Sequence, residues 1–416
     1  MKIFNLKRSF DFWKITLFNH VFEFPIEPKR PTTYPKIIRR LKHKKEKIVV
    51  AFLVNEAAKW QYQSLYEELE KNDKFQPVIL VTKVFTPRKR ENIYYQSFDE
   101  CVTFFKDKGF EVKLAYNPDT QKYTSLKKFK PDILFYQQPW LLHPLQNIDR
   151  VCKFALPCYN GYGLHLDTFW NDYFLYFQKM LWAYFVENEE LISFYHENNI
   201  FTENMHAIGA LKLDRYFRYH NVSFIAQKKP TVIYAPHHSV ETYGLNCASF
   251  RENGQDILAL AQKTKDKINW IFKPHPRLRY ALTVNQIMTK QEIDDYYKQW
   301  QTLGTFYDGG DYIPLFLQSN ALITDCISFL GEYLPSRKPI LHLIGPKYPF
   351  NQVYLPLLNT YYKIKSMTEL KETLERVVLN EDDYMKNDRL KFLPFLFNPK
   401  QKATCKLIDI LTKLCA

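Results

Sequence analysis

Lys273-Pro274-His275-Pro276-Arg277 sets an imidazole between two prolines and two cations where the apolar run "INWIF" ends. Proline fixes its own φ and keeps the residue before it extended. The His275 backbone is thus stiffened while Lys273 and Arg277 supply positive charge beside it. Two other stretches share this character: Pro236-His237-His238-Ser239 follows "TVIYA", and Thr324-Asp325-Cys326-Ile327-Ser328 follows "ALI". Imidazoles, hydroxyls, cations and one carboxylate after three apolar runs suit a nucleotide diphosphate. The cations would neutralise it, and histidine exchanges protons near neutral pH. A helix starting near Ser328 would add free N–H groups and the positive end of its dipole. Each stretch also has a plainer reading, since Asp325 or Ser328 can cap the helix that follows.

Ligands of open α/β sheets bind beyond the carboxyl ends of the strands, so the elements around these residues decide whether the three stretches meet. "KIVVAFLV" (47–54) is a short apolar, β-branched run that reads as a buried strand. "AKWQYQSLYEELEKN" follows at helical spacing, with Trp60, Leu65 and Leu69 on one side. "FQPVILVTK", "FEVKLAY" and "PDILFYQQPW" read as further strands, and "SFDECVTFFKDKG" as a helix ended by Gly109. "FALPCYNGYGLH", "LWAYFVEN" and "NMHAIGALKLDRY" continue the series. A second set begins near residue 230: strands at "PTVIYAPHHS", "INWIFKPHP", "ALITD" and "KPILHLIG" alternate with helices at "DILALAQKTKDK", "YIPLFLQSN" and "SFLGEYLPS". Alternating strands and helices imply a parallel, doubly wound sheet. The predicted fold class is α/β, with two Rossmann-like halves and a closing amphipathic helix at "KATCKLIDILTKLCA".

Residues 1–28 show helical periodicity, with Leu6, Phe10, Trp13, Leu17 and Val21 on one stripe that Phe12, Ile15, Phe18 and Phe22 widen. Such a face either lies in a membrane interface or packs on the protein's own core. "EPKRPTTYPKIIRRLKHKKEK" reads as an exposed connector, either simply solvated or touching anionic lipid headgroups or an anionic polymer. The expected domains are an aromatic and basic extension (1–44), an N-terminal Rossmann-like domain (45–205), a C-terminal one (206–375) and helices packing back (376–416).

The chain has 416 residues and a formal net charge of +14, which favours an anionic partner. Its seven cysteines form no CxxC pair, as expected of reduced thiols in a cytoplasmic protein. Clustered metal-ligand spacing is missing, so no metal is expected. No apolar stretch approaches the ~20 residues that cross a bilayer. The charges at Lys7, Arg8, Asp11 and Lys14 break any signal-peptide core. Neither a Walker A motif nor a GxGxxG after the first strand occurs, which disfavours ATPases and NAD-dependent dehydrogenases. No DxD follows a strand, and no nucleic-acid module is present.

At these same residues the chain resembles the CDP-glycerol glycerophosphotransferase family, which makes teichoic acids and related capsule polymers. "TDCISFLGEYLPSRKPILHL" resembles the family's T-D-Y-S-S run with its following acid, tyrosine and K-P, aligning Thr324, Asp325, Ser328, Glu332, Tyr333, Lys338 and Pro339. "KPHPRLR" resembles its H-P motif, "IYAPHHS" its strand ending in A-P, and "IGALKLDRY" its domain-junction segment. "AKWQYQSLY" and "PDILFYQQPW" look like a subgroup of the family. The likeness spans residues about 45–375.

The resemblance implies a GT-B fold, with donor nucleotide in the C-terminal domain and acceptor in the N-terminal one. It implies transfer of glycerol phosphate from CDP-glycerol to a hydroxyl on a polymer or lipid-linked acceptor, releasing CMP, with no cofactor besides the donor. On this reading His275 is catalytic. Pro236, His237, Ser239, Lys273, Arg277, Thr324, Asp325, Ser328 and Glu332 bind the donor, and Trp60, Gln137 and Tyr162 meet the acceptor. The sequence departs from the family at Cys326, Ile327 and Glu332. "CYNGYGLH" stands where the family has W-H-G-T-P, so its histidine is absent there and His165 follows a few residues later. His165 is the first choice for the base and His238 the second. A cytoplasmic enzyme peripheral to the inner membrane surface is expected. A GT-B glycosyltransferase using a nucleotide sugar shares the donor residues, and a non-enzymatic protein binding anionic polymer through residues 29–47 is the remaining alternative.

Overall fold

A computed structural model describes residues 28–85, 97–168, 175–224, 227–241, 246–307, 311–347 and 350–414, and the backbone of 4–8, 12–17 and 20–25. The chain divides into two units. One comprises Met1–Gly163, Phe169–Asp214 and Lys400–Ala416, the other Leu164–Thr168 and Arg215–Pro399.

The N-terminal stretch forms strands, not the predicted helix. Phe4–Arg8 (β1), Phe12–Leu17 (β2) and His20–Pro25 (β3) make an antiparallel sheet. Trp13 stands opposite Phe24, Lys14 opposite Glu23 and Ile15 opposite Phe22. Over so short a stretch the period-2 and period-3.6 patterns overlap, and the aromatic and β-branched composition favours the strand. Phe10 and Phe18 of the expected stripe lie outside the described residues.

The predicted connector contains a helix, Tyr34–Lys42, that buries Tyr34, Ile37 and Leu41. These residues recur at helical spacing inside the basic run, which charge alone obscured. Arg40 (3.1 Å) and Lys44 pair with Asp132, whose carboxylate also accepts the Val49 N–H at 3.0 Å.

The first unit is built on Ile48–Val54 (β4), Phe75–Val81 (β5), Val112–Leu114 (β6), Ile133–Tyr136 (β9), Leu156–Asn160 (β10), Ala183–Val186 (β11) and Met205–Ala207 (β12), with a small hairpin of Tyr116–Asn117 (β7) and Lys122–Tyr123 (β8). The order β12-β11-β10-β9-β4-β5-β6 is parallel throughout. Its central strands are apolar along their length because both faces are covered. Helix Phe98–Asp107 opens on a capping box of Ser97 and Glu100, and Gly109 follows it at φ +77°. The last helix, Ala403–Lys413, returns to this unit: Leu407 and Leu411 are fully buried, and Asp214 accepts the N–H groups of Ala403 (2.8 Å) and Thr404 (2.7 Å).

The second unit carries Thr231–Ala235 (β13), Asn269–Phe272 (β14), Thr305–Phe306 (β15), Ala321–Thr324 (β16), Ile340–Leu343 (β17) and Tyr362–Ile364 (β18) in the parallel order β15-β14-β13-β16-β17-β18. Its core centres on Phe272, stacked on Trp300 at 4.9 Å and flanked by Tyr234 and Tyr296. Each large sheet reverses strand order once, between β4 and β9 in the first unit and between β13 and β16 in the second. Such reversal points open a crevice at the carboxyl edge of the sheet. Among the described residues no helix is long and apolar enough to cross a membrane.

Candidate functional site

The loops after β13 and β16 flank the reversal point of the second unit, and the loop after β14 adjoins them. Asp325, at the end of β16, ties two of its neighbours down. Its carboxylate accepts the His237 N–H (2.6 Å), the Ser249 N–H (2.6 Å) and the Ser249 hydroxyl (2.8 Å). It therefore caps the helix Phe250–Thr264 from outside instead of its own helix. Burial pushes the Asp325 carboxyl up to about 6, against the pull of those bonds. Thr324 donates to the Ala235 carbonyl (2.6 Å) and accepts the Cys326 N–H (2.9 Å), locking β16 to β13. The Pro236 carbonyl accepts the His275 N–H at 3.0 Å, which joins the loops after β13 and β14.

Three imidazoles meet as a result. His238 stacks on His275 with centroids 4.1 Å apart, His237 lies 4.3 Å from His238 and 5.1 Å from His275. Burial holds all three below the usual histidine range, and neighbouring positive charge adds to it: His238 for His237, Arg277 for His238, and His238, His237, Arg277 and Lys273 for His275. His238 falls to about 4. Lys273 is buried, with its ammonium 4.9 Å over the Tyr312 ring and 5.0 Å over Phe329. Arg277 is half-buried beside His275, whereas Arg279 turns away to pair with Asp294 at 2.9 Å.

The ring nitrogens of this trio lie within 4.8 Å of one another, close enough to hold a metal ion. Their hydrogen bonds favour a different ligand. His275 Nδ1 accepts the Arg277 N–H at 3.1 Å, and His237 Nδ1 accepts the Ser239 N–H at 3.3 Å. A nitrogen that accepts a backbone N–H carries no proton, so in each neutral ring Nε2 is the N–H. Both rings thus present donors, which suit anionic oxygens and not a cation. The Ser239 hydroxyl is engaged within the same loop, 2.9 Å from His237 Nδ1 and 3.0 Å from the Cys247 sulfur.

Ser328 and Glu332, also expected at the donor, lie on the helix that follows β16. Ser328 is half-buried on helix Ile327–Glu332, whose six residues give little more than one turn of the dipole expected there. Glu332 is buried and accepts the Tyr312 hydroxyl, while its carbonyl accepts the Tyr216 hydroxyl at 2.7 Å. Lys338, aligned with the family's K-P, caps the end of helix Ile313–Gln318 by donating to the Leu317 carbonyl.

A pocket of about 380 Å³ lies at the carboxyl ends of β17 and β18. Ser249, Glu252, Asn253, Gly345, Ser366 and Met367 are among its lining residues. Ser249 belongs both to this pocket and to the Asp325 bonds. Nothing in the sequence marked Ser249 as part of the site. Arg215, which pairs with Asp311 and lies 5.0 Å over the Tyr312 ring, was signalled only by its place in "IGALKLDRY".

Of the residues expected elsewhere, His165 is fully buried and belongs to the short segment Leu164–Thr168 of the second unit, where the Leu166 carbonyl accepts the Asn351 N–H at 2.8 Å. Trp60 is a core side chain against Phe52, Tyr62 and Phe105, with its N–H on Gln63. Gln137 is buried and straps the turn after β4, accepting the N–H groups of Asn55 (3.0 Å) and Glu56 (3.1 Å) and donating to the Glu56 carbonyl (2.7 Å). Tyr162 is half-buried beside Trp140 at 5.7 Å.

The model of the CDP-Glycerol:Poly(glycerophosphate) glycerophosphotransferase family matches residues 172–390, more than half of the chain. The chain belongs to this family. No curated protein matches the sequence of this glycerophosphotransferase family member. Among solved structures it is similar to the wall teichoic acid polymerase TagF soaked with CDPG, at 14% identity and TM-score 0.55, covering 91% of this chain and 93% of that one. It is equally similar to UDP-GlcNAc 2-epimerase from Neisseria meningitidis bound to UDP-GlcNAc, at 15% identity and TM-score 0.55, covering 88% of this chain and 100% of that one. At such identities the likeness is one of fold: the transferase has the α/β, GT-B class of two Rossmann-like domains.

Proposed function

We propose that the transferase moves glycerol phosphate from CDP-glycerol to a hydroxyl of a teichoic-acid-like or capsular polymer acceptor, using the second unit's reversal point to hold the diphosphate. The observation that carries this reading is the convergence of His237, His238 and His275, with Nδ1 of His237 and His275 accepting backbone N–H groups and with Lys273 and Arg277 beside them. The pocket of about 380 Å³ beside Ser249 falls in the size range of small-molecule sites and would take the nucleoside.

The acceptor oxygen forms a bond to the β-phosphorus as the bond from that phosphorus to the bridging oxygen breaks. CMP departs with the bridging oxygen and its electron pair, and the acceptor proton passes to a base. Such transfer depends on positioning and charge neutralisation more than on covalent catalysis. His238 takes the role of base, because its ring is half-buried at the trio's edge, stacked on His275. Burial and Arg277 lower its pKa, and a dianionic diphosphate draws it upward. Pro236, Ser239, Thr324 and Asp325 position the loops. No cofactor besides the donor enters these steps. The net charge of +14 supports work at an anionic membrane surface.

The test is mass spectrometry of products from CDP-glycerol, CDP-ribitol and nucleotide sugars. Phosphate retained in the product is expected with a CDP-polyol, whereas transfer of a bare sugar overturns the reading. His275→Ala is expected to lower the rate by about 10²–10⁴, and near wild-type turnover at saturating donor would remove His275 from the reaction.

A further inference from the structure

The first unit holds a pocket of about 620 Å³ at the edge of its sheet where the strands begin. Arg150, Cys152 and Lys153 precede β10, Met180 precedes β11, and Lys29, Thr32 and Thr33 come from the segment before the helix Tyr34–Lys42. The strands of a parallel sheet all begin on one edge, so this pocket lies opposite the crevice at the reversal point of the same unit. Its walls are tied together. The Thr33 hydroxyl donates to the Cys152 carbonyl at 2.5 Å, the Tyr34 hydroxyl to the Met180 carbonyl, and Arg30 to the Trp182 carbonyl at 3.3 Å. Asn147 caps the short helix Ile148–Val151 by accepting the Arg150 N–H at 3.3 Å.

Three cations line the pocket: Lys29, Arg150 and Lys153. All are exposed, and among the described residues none of them is in an ion pair. The neighbouring basic helix differs, since Arg40 and Lys44 share Asp132. One carboxylate, Asp149, also lines the pocket, and the Tyr176 hydroxyl and the Asn147 amide (3.4 Å) already donate to it. Like charges gathered around one concavity repel, and an anion between them removes that cost. The shape narrows the choice of anion. None of the lining residues is aromatic, so a nucleobase finds nothing to stack on. An apolar ligand leaves the cations unmatched. The space is larger than a bare phosphate needs, and the exposed Thr32 hydroxyl offers a donor and an acceptor beside the charges. A phosphate carried on a small polyhydroxylated chain matches charge, size and hydrogen bonding together.

We propose that Lys29, Thr32, Arg150 and Lys153 form a binding site for a phosphorylated polyol at the amino edge of the first unit. The ligand is either a free polyol phosphate or one unit of a phosphodiester-linked product. Only the second source rests on the transferase reading; binding of the phosphate stands by itself.

The experiment is saturation-transfer NMR of the full chain with glycerol 3-phosphate, glycerophosphoglycerol and glycerol. CDP is present at saturation to fill the donor site, and its binding is measured on the same samples by calorimetry. At least one phosphorylated probe is expected to bind the wild type, and glycerol is not. A preference for glycerol 3-phosphate identifies the free source, and one for glycerophosphoglycerol the product. The double variant Arg150→Ala, Lys153→Ala is expected to weaken binding at least tenfold. The double variant Arg150→Lys, Lys153→Arg keeps both charges and is expected to retain most of it. Four outcomes overturn the inference: no phosphorylated probe bound by the wild type, full binding by the alanine variant, glycerol bound as well as its phosphate, or binding to phosphatidylglycerol vesicles alone that the alanine variant loses. Absence of CDP binding counts instead against the donor reading, and the alanine variant still decides this inference.

Discussion

Asp325 is the residue on which the proposed donor site turns, although both of its oxygens are engaged within the protein. The donors come from two different segments. Asp325→Asn replaces one acceptor by an amide that must point N–H toward N–H, leaving a buried donor unmatched at about 1–3 kcal/mol. The second unit should lose that much stability in urea unfolding, and donor affinity should fall with it, because His237 is released from its place beside His238. Wild-type affinity in a folded Asp325→Asn protein would show that the trio holds itself together. The histidines carry a second expectation. Burial holds them below their usual range, and a diphosphate beside them draws them upward, so donor binding should take up protons in mildly acidic solution. Calorimetry in two buffers of different ionisation enthalpy measures this directly.

At the scale of elements, the site is made where strands end and loops must approach one another closely. Gly345, after β17, shows how tight that approach is: a Cβ there would run into the backbone carbonyl of Cys247, which leads into the helix Phe250–Thr264. The same glycine lines the pocket of about 380 Å³. Gly345→Ala should therefore push the 247–249 segment outward at a cost of about 1–3 kcal/mol and raise the donor KM more than it lowers kcat. An unchanged KM would separate this pocket from the nucleotide. The positions of Thr324, Lys338 and Glu332 illustrate the same point from another side. They match a family pattern, yet their polar atoms join strands, cap a helix end or accept a tyrosine hydroxyl. Their pattern in the chain reflects the architecture that supports the site.

For the whole molecule, the buried histidines set the response to acid. His237, His238, His275 and His342 are all held below their usual value in the fold, with His238 near 4 and His342 near 3. Between about pH 4 and 6.5 the unfolded chain therefore binds more protons at these positions, and stability falls as the pH drops. Asp325 works in the opposite direction: raised to about 6, it binds a proton in the fold that the unfolded chain releases. One such group offsets only part of the effect of several histidines. The urea midpoint of the second unit should thus fall between pH 7.5 and 5, and His342→Phe, away from the trio, should flatten the slope. A midpoint that rises on acidification would contradict the burial of these rings.

The sequence by itself determined that two sets of parallel strands alternate with helices, because continuous apolar runs bounded by glycine, proline and polar turns have few other ways to be buried. It also determined that polar and charged groups follow three strands of the second set: histidines after two of them, cations after one and a carboxylate after the third. It misjudged residues 4–25, where two periodicities compete over a short aromatic stretch, and the basic run, where charge masked the stripe of Tyr34, Ile37 and Leu41. Only the tertiary structure decided which polar atoms of the matching residues are engaged within the protein. Strand order, and hence the reversal points, depends on contacts between residues far apart in the chain, as do the bonds that occupy Asp325 and bury His165. Spacing along a chain reports which side chains share a face. Whether a polar atom is left for a ligand depends on partners that spacing does not record.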